Sequence, residues 1–259
     1  MKNNNEVLKA ENIVLRYQQN APAVLENFNL ALNANEIIAI LGPSGVGKSS
    51  LLRVLARIQK ADEGKIFVNN EELTHVSPRF AVAFQNPSLL PWLTLEKNVA
   101  FGLNFKNQPK LTKAERQARI DKAIQQVGLE QARKLRPYEL SGGMAQRAGL
   151  ARCFARAPEI LFLDEPFSAL DESTREQMQN LTVKLVQDFC AAAVLVTHDI
   201  DEALLMSDRI ILLGGSPAQI IGTWTINFNR PRNQFVEELG AFRIEILAAL
   251  RDATKRKEK

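Results

Sequence analysis

Residues suited to phosphate chemistry recur along this chain in a fixed order. Gly42-Pro43-Ser44-Gly45-Val46-Gly47-Lys48-Ser49 fits the pattern G-x-x-x-x-G-K-[ST], and Ser50 follows it. The glycines let the backbone turn tightly enough for successive N–H groups to point at a phosphate. A helix starting near Gly47 adds the positive end of its dipole. Lys48 can then reach the β- and γ-phosphates of a nucleotide. The Ser49 hydroxyl suits Mg²⁺, a hard cation that takes a few protein oxygens beside phosphates and water. An ordinary Gly-rich turn needs neither the Lys nor the Ser. Farther on, Asp164 and Glu165 stand together after an apolar run, where two acids are costly without cationic company and so imply a metal. Ser141-Gly142-Gly143 before a helical stretch is a second backbone anion nest, or a plain N-cap. Gln85 and His198 each close a short apolar run, and alone either is an ordinary polar residue.

The elements that must position these residues can be read around them. Ile37 to Leu41 is an apolar, β-branched run that reads as a buried strand leading into the glycine loop. Before it, the mixed alternations of residues 7 to 32, broken by Gln18 to Pro22, predict antiparallel strands, with Tyr17 a half-buried residue at the end of the first. Ser50 to Ile58 predicts an amphipathic helix with Leu51, Leu52, Leu55 and Ile58 inward. Strands follow from Gly64 and in the stretch RFAVAFQNP at 79–87, the latter carrying Gln85 at its end before Asn86 and Pro87 break it. Between about residues 87 and 150 the pattern turns helical, with Thr112 and Glu115 at capping-box spacing, Gly128 as a stop and a helix over Ala145 to Ala157. Ile160 to Leu163 is the strand that ends in the acids. A helix after Asp171 turns Met178, Leu181, Leu185 and Phe189 inward, and Ala193 to Thr197 leads to His198. Strand ends carrying the glycine loop, Gln85, Asp164 and His198 predict an α/β fold of the P-loop NTPase kind. Its mostly parallel sheet would bind ligand at the carboxyl edge, beside an N-terminal antiparallel β region and an inserted helical subdomain. We read one domain over 1–259, with a core of 1–86 and 151–259 and a helical subdomain at about 87–150.

Composition narrows the setting. The 259 residues carry a net charge of +4, and Arg251, Lys255, Arg256, Lys257 and Lys259 against Asp252 and Glu258 place most of that excess at the C-terminal end. The nearly neutral body argues against a nucleic-acid surface, while the tail suits either anionic lipid or a solvated terminus. No apolar run approaches a membrane helix and no signal segment opens the chain, which predicts a cytoplasmic protein. Cys153 and Cys190 are too few and too far apart for a disulfide framework or a zinc site, and both read as core thiols.

Taken in order, GPSGVGKS, Gln85, LSGGM at 140–144, ILFLDEP at 160–166, SALD at 168–171 and His198 closely resemble the ATP-binding subunit of an ABC transporter. The resemblance runs from about residue 6 to 250. It implies that Tyr17 stacks on adenine and that Gly42 to Ser50 hold the ATP phosphates. Ser141, Gly142 and Gly143 would clasp the γ-phosphate of ATP held by a second copy of the chain, in a head-to-tail dimer. Ser49, Gln85 and Asp164 would serve Mg²⁺, with Gln85 also sensing the transport partner. Glu165 would orient and deprotonate the attacking water, Lys48 and His198 would brace the γ-phosphate, and Asp171 would help tie the two copies together. LLPWLTLEKNVAFGL at 89–103 with PYELSGGMAQR at 137–147 is most similar to importers of nitrate, sulfonates and taurine, some of whose relatives carry thiamine-precursor pyrimidines. Met144 stands where Gln is commonest in the wider family, an exchange usual in this group. The implied partners are permease subunits and, indirectly, an extracytoplasmic solute-binding protein, at the cytoplasmic face of the membrane. The apolar cluster Leu89, Leu90, Trp92, Leu93 and Leu95 reads either as the packed root of the subdomain or as a groove for a permease helix. A soluble ABC ATPase acting on DNA or ribosomes is the alternative; it typically inserts a long coiled coil between loop and signature, where this chain has only residues 50 to 140. The hairpin around Gly214 to Pro217 lies near the end, so no appended regulatory domain is expected.

Overall fold

The computed structural model describes residues 5–18 and 21–255. Gln19 and Asn20 of the expected first break, and Arg256, Lys257, Glu258 and Lys259 of the basic tail, lie outside the described residues. The chain forms two compact units, Met1–Ser77 with Ala192–Lys259, and Pro78–Ala191.

In the first unit, β1 (Glu6–Leu15) and β2 (Leu25–Asn33) pair antiparallel, with Ala10 opposite Leu30 and Ile13 opposite Phe28, all four buried. β1 stops at Leu15 because the next amide, Arg16 N–H, donates to the Asp62 carboxylate at 2.6 Å. Tyr17 therefore lies outside the strand and is exposed, not half-buried at its end. β3 (Ile37–Leu41) is buried at every position and feeds the glycine loop and α1 (Lys48–Leu55). The helix ends three residues sooner than its apolar spacing predicts. Arg57 adopts φ 59°, the chain reverses, and Ile58 is left half exposed instead of facing inward. β4 (Glu63–Val68) and β5 (Glu71–Glu72) complete an antiparallel sheet of order β2-β1-β4-β5.

The second unit holds β6 (Phe80–Phe84), α2 (Leu95–Ala100), α3 (Lys113–Gln126), α4 (Gly142–Ala155), β7 (Ile160–Asp164) and α5 (Glu172–Asp188). The capping box of Thr112 and Glu115 forms as its spacing predicts. α4 begins three residues earlier than expected because Ser141 itself is the N-cap, its Oγ accepting from Met144 N–H. β6 and β7 are parallel, with Phe84 opposite Asp164. Cys153 on α4 is buried, and burial pushes its thiol up to about 11. Cys190 is exposed, so only one of the two cysteines is a core thiol. It follows the end of α5 at φ 51°, where the chain leaves the apolar helix face.

Returning to the first unit, β8 (Ala192–Val196) and β9 (Arg209–Gly214) flank β3 in parallel, and α6 (Ile200–Met206) connects them. β10 (Gln219–Thr225) closes antiparallel on β9, and α7 (Val236–Lys255) follows. Strands covered on both faces require the continuous apolar runs seen in β3 and β8. The sequence reading did not mark α7, although Leu239, Ile246 and Ala253 bury at a strict seven-residue interval. The link to it is fixed by Arg232, almost fully buried, which donates to the carbonyls of Phe228, Leu204, Ser207 and Ile226. Burial pushes that guanidinium down to about 10.

Candidate active site

The first unit supplies a glycine loop with the backbone its sequence demands. Gly45 sits at φ 75° and Gly47 at φ 104°, the left-handed conformations that side chains resist. At Gly47, the N-cap of α1, a Cβ would also come within 2.9 Å of Val24. Lys48 is only 6% exposed, and its Nζ donates back to the carbonyls of Gly42 at 2.8 Å and Pro43 at 3.1 Å. The ammonium is thereby held against the loop that Gly42 opens. Ser50 is buried in the first turn of α1, and its Oγ lies 3.0 Å from the Tyr17 hydroxyl. That bond pins the phenol near the start of α1 while 65% of the side chain's residue surface stays exposed. Parallel register brings His198 to the same edge. Ile40 lies opposite Val196, and Thr197 N–H donates to the Ile40 carbonyl at 3.2 Å, so His198 leaves β8 where Gly42 leaves β3.

The second unit places the acids and Gln85 by the same device. Asp164 is the last, buried residue of β7, and Phe84 is its partner on β6. Gln85 and Glu165 therefore leave neighbouring strands at one end, both next to a break in the ladder. Glu165 takes φ 47°, a conformation that costs a non-glycine residue energy and persists only where its surroundings enforce it. Part of that enforcement is Ser168, whose hydroxyl donates to the Glu165 carbonyl at 3.0 Å. Ser141, Gly142 and Gly143 line an open cleft of about 680 Å³ together with Arg147, Asp171 and Thr174. Asp171 caps α5, and its bonds from the Thr174 amide and hydroxyl hold its carboxyl below the usual range.

The donor set expected for a metal is a hydroxyl (Ser49), a carboxylate (Asp164) and an amide oxygen (Gln85), all hard oxygens of the kind Mg²⁺ takes. Among the described residues no group of three or more His, Cys, Asp or Glu could hold a metal. Each of the three oxygens is the kind of ligand that an ion otherwise completed by phosphate and water takes, and Ser49 belongs to the first unit, Gln85 and Asp164 to the second. Two residues beside the expected ones escaped the sequence reading. Gln146 on α4 donates to the backbone of Gln85 and Pro166. Asn98 on α2 organises the loop that carries Trp92.

Comparison with known proteins gives these features a context. The family model described as "ABC transporter" matches residues 25–168. The chain is 41% identical to the nitrate transport protein NasD of Klebsiella oxytoca over 81% of its own length and 80% of the relative's. It is also 41% identical to a taurine import ATP-binding protein, TauB, of Pseudomonas aeruginosa, over 86% and 84% of the two chains. A solved dimeric ATP-binding cassette in a post-hydrolysis state, bound to ADP and Pi, superposes with a TM-score of 0.73 at 30% identity, covering 86% of this chain and all of that one.

Proposed function

The chain belongs to the ABC transporter family, and from that premise we propose that it is the ATP-binding and ATP-hydrolysing subunit of an importer for a small solute. The observation that carries the reading is the double register just described. Two separate pairs of parallel strands each deliver their expected chemical residues at the carboxyl end. Relatives named for nitrate, aliphatic sulfonates and taurine support a small anionic or zwitterionic cargo. The cargo itself is recognised elsewhere, by the solute-binding protein and permease. No helix of the described residues is long and apolar enough to cross a membrane, and the importer ATP-binding relatives support a peripheral place on the cytoplasmic face, held by permease subunits.

Hydrolysis of ATP to ADP and phosphate asks for positioning and charge stabilisation more than covalent chemistry. Gly42 to Ser50 wrap the phosphates, Lys48 takes charge on the β- and γ-oxygens, and Tyr17 stacks on adenine. Mg²⁺ bound through Ser49, Asp164 and Gln85 would neutralise phosphate charge. Glu165 accepts the proton of the attacking water, and His198 braces the γ-phosphate. Ser141 to Gly143 offer N–H groups at a helix N-terminus to the ATP of a second copy, and the dimeric state of a solved ATP-binding cassette supports the pairing of two copies. We retain the division into a core of 1–86 and 151–259 and a helical subdomain near 87–150, which holds α2, α3 and α4.

The test is Glu165→Gln. A positioned base contributes roughly 10²- to 10⁴-fold, so the variant is expected to bind ATP, lose most turnover and accumulate as an ATP-bound dimer on gel filtration. Hydrolysis at the unaltered rate would rule the assignment out.

A further inference from the structure

We infer that Gln146 is a positioning residue whose single side-chain amide fixes the loop of Gln85 to the turn of Glu165, so that any movement of α4 reaches both. The inference rests on the proposed roles of Gln85 and Glu165 and adds what sets their geometry. Gln146 is 7% exposed, on the second turn of the helix that Ser141 caps. Its Nε2 carries two N–H donors, and both are spent: one on the Gln85 carbonyl at 3.1 Å, the other on the Pro166 carbonyl. These acceptors lie just past β6 and just past β7, where no ladder bond is available to them. An NH₂ group has fixed geometry, so it sets the separation of the two carbonyls, one of them on the residue following Glu165.

Three further contacts stop the helix from sliding over the loop. A Cβ on Gly149 would meet Pro87 Cβ at 3.0 Å, so helix and loop are already as close as a glycine allows. Arg152, nearly two turns beyond Gln146, donates to the Pro87 carbonyl at 2.5 Å and the Ser88 carbonyl at 2.9 Å. Residues 85 to 88 are thus fastened along one face of α4, and Gln146 extends that fastening to the acid-bearing turn. Glu165 needs it: its φ of 47° must be imposed, and Ser168 and Gln146 hold the two successive carbonyls, of Glu165 and Pro166. A helix whose N-terminus faces a partner's nucleotide would then report that engagement directly to the general base and to the metal-side glutamine. This makes Gln146 a connector and not a group that touches substrate.

The experiment uses the purified full chain with Mg-ATP. Gln146→Leu keeps much of the volume and removes both donors. It is expected to lower kcat about 10- to 100-fold, the usual cost of a small misplacement at a reacting centre, with the KM for ATP little changed and the melting temperature lowered, because the Gln85 and Pro166 carbonyls lose their donor. Gln146→Glu keeps the shape but opposes the carbonyls with an acid, and it is read in the same way should the leucine variant not fold. The decisive measurement is single-turnover hydrolysis in the Glu165→Gln background. If Gln146 acts through Glu165, adding Gln146→Leu there costs nothing further, whereas independent effects would multiply. An unaltered kcat for Gln146→Leu, a multiplied loss in the double variant, or failure of both Gln146 variants to fold each overturns the proposal. Full activity of Glu165→Gln would instead strike the assignment of the base, and a dead Glu165→Gln beside a fully active Gln146→Leu strikes the connector alone.

Discussion

At the scale of single residues, Tyr17 shows how little holds an exposed ring in place. Its ring is outside β1 and largely exposed, and its hydroxyl meets Ser50 at the first turn of α1. An exposed ring pinned at the start of α1 suits the proposed platform for a base, and base stacking is worth about 1 to 3 kcal/mol by alanine substitution. Tyr17→Ala is therefore expected to weaken ATP binding by roughly 5- to 150-fold in calorimetry, while Tyr17→Phe and Tyr17→Trp bind nearly as the parent does. Equal affinities for all three would remove Tyr17 from the site. The two thiols differ just as plainly. Only the thiolate is a good nucleophile, and burial pushes Cys153 up to about 11 while Cys190 is exposed. Iodoacetamide at pH 7.5 is expected to label Cys190 in the native protein and Cys153 only after unfolding, as read by mass spectrometry. Raising the pH toward 11 increases the Cys153 thiolate fraction but does not open a path to it. Labelling at Cys153 in the folded chain at pH 7.5 would contradict the burial.

At the scale of elements, the parts that could be read in advance are those whose causes are local. Thr112 with Glu115, and the buried run Ile37 to Leu41, carry their structure within a few residues. Tyr17, Ile58 and Cys190 were misplaced because their surroundings are set by chain reversals: a carboxylate 46 residues from Arg16 ends β1, and positive φ at Arg57 ends the run of α1. Gln146 and Asn98 could not be recognised, since a polar residue on a helix looks solvated until its burial is known. Asn98 is fully buried in α2, with Oδ1 accepting from Leu90 N–H at 2.7 Å and Nδ2 donating to the carbonyls of Leu90, Leu93 and Thr94. One amide thus replaces the secondary structure that residues 90 to 94 lack. Asn98→Leu keeps the branching and strands the Leu90 N–H and the Leu93 carbonyl, each costing about 1 to 3 kcal/mol when buried, while the Leu90 and Thr94 carbonyls still accept from the Leu93 and Asn98 amides. A loss of about 3 kcal/mol or more is expected in urea unfolding, and an unshifted midpoint would show that the loop satisfies its own backbone.

At the scale of the whole molecule, the phosphate loop and the acid-bearing strand end were legible because their motifs are contiguous, whereas the surface offered to a permease could be left only as two alternatives. Trp92 decides between them. It is 68% exposed, so it is not the packed root of the subdomain, and that role falls to Leu95, which is fully buried. Asn98 fixes the backbone on both sides of Trp92, through Leu90 and Leu93, which means the indole is displayed from a rigid loop and not from a loose one. Phe84, also exposed, closes β6 immediately before Gln85. A rigid, exposed aromatic a few residues past Gln85 suits the apolar face of a short helix on the proposed permease partner. A Trp buried at such a contact often contributes about 2 kcal/mol or more to association, which is roughly 30-fold in affinity. Trp92→Ala is expected to leave the isolated subunit's melting temperature and basal ATPase unchanged, because little of the side chain is packed. The same variant is expected to recover less permease complex on co-purification and to stop transport in proteoliposomes. The opposite pattern, a subunit that melts several degrees lower yet assembles and transports normally, would return Trp92 to the interior and move the docking surface elsewhere.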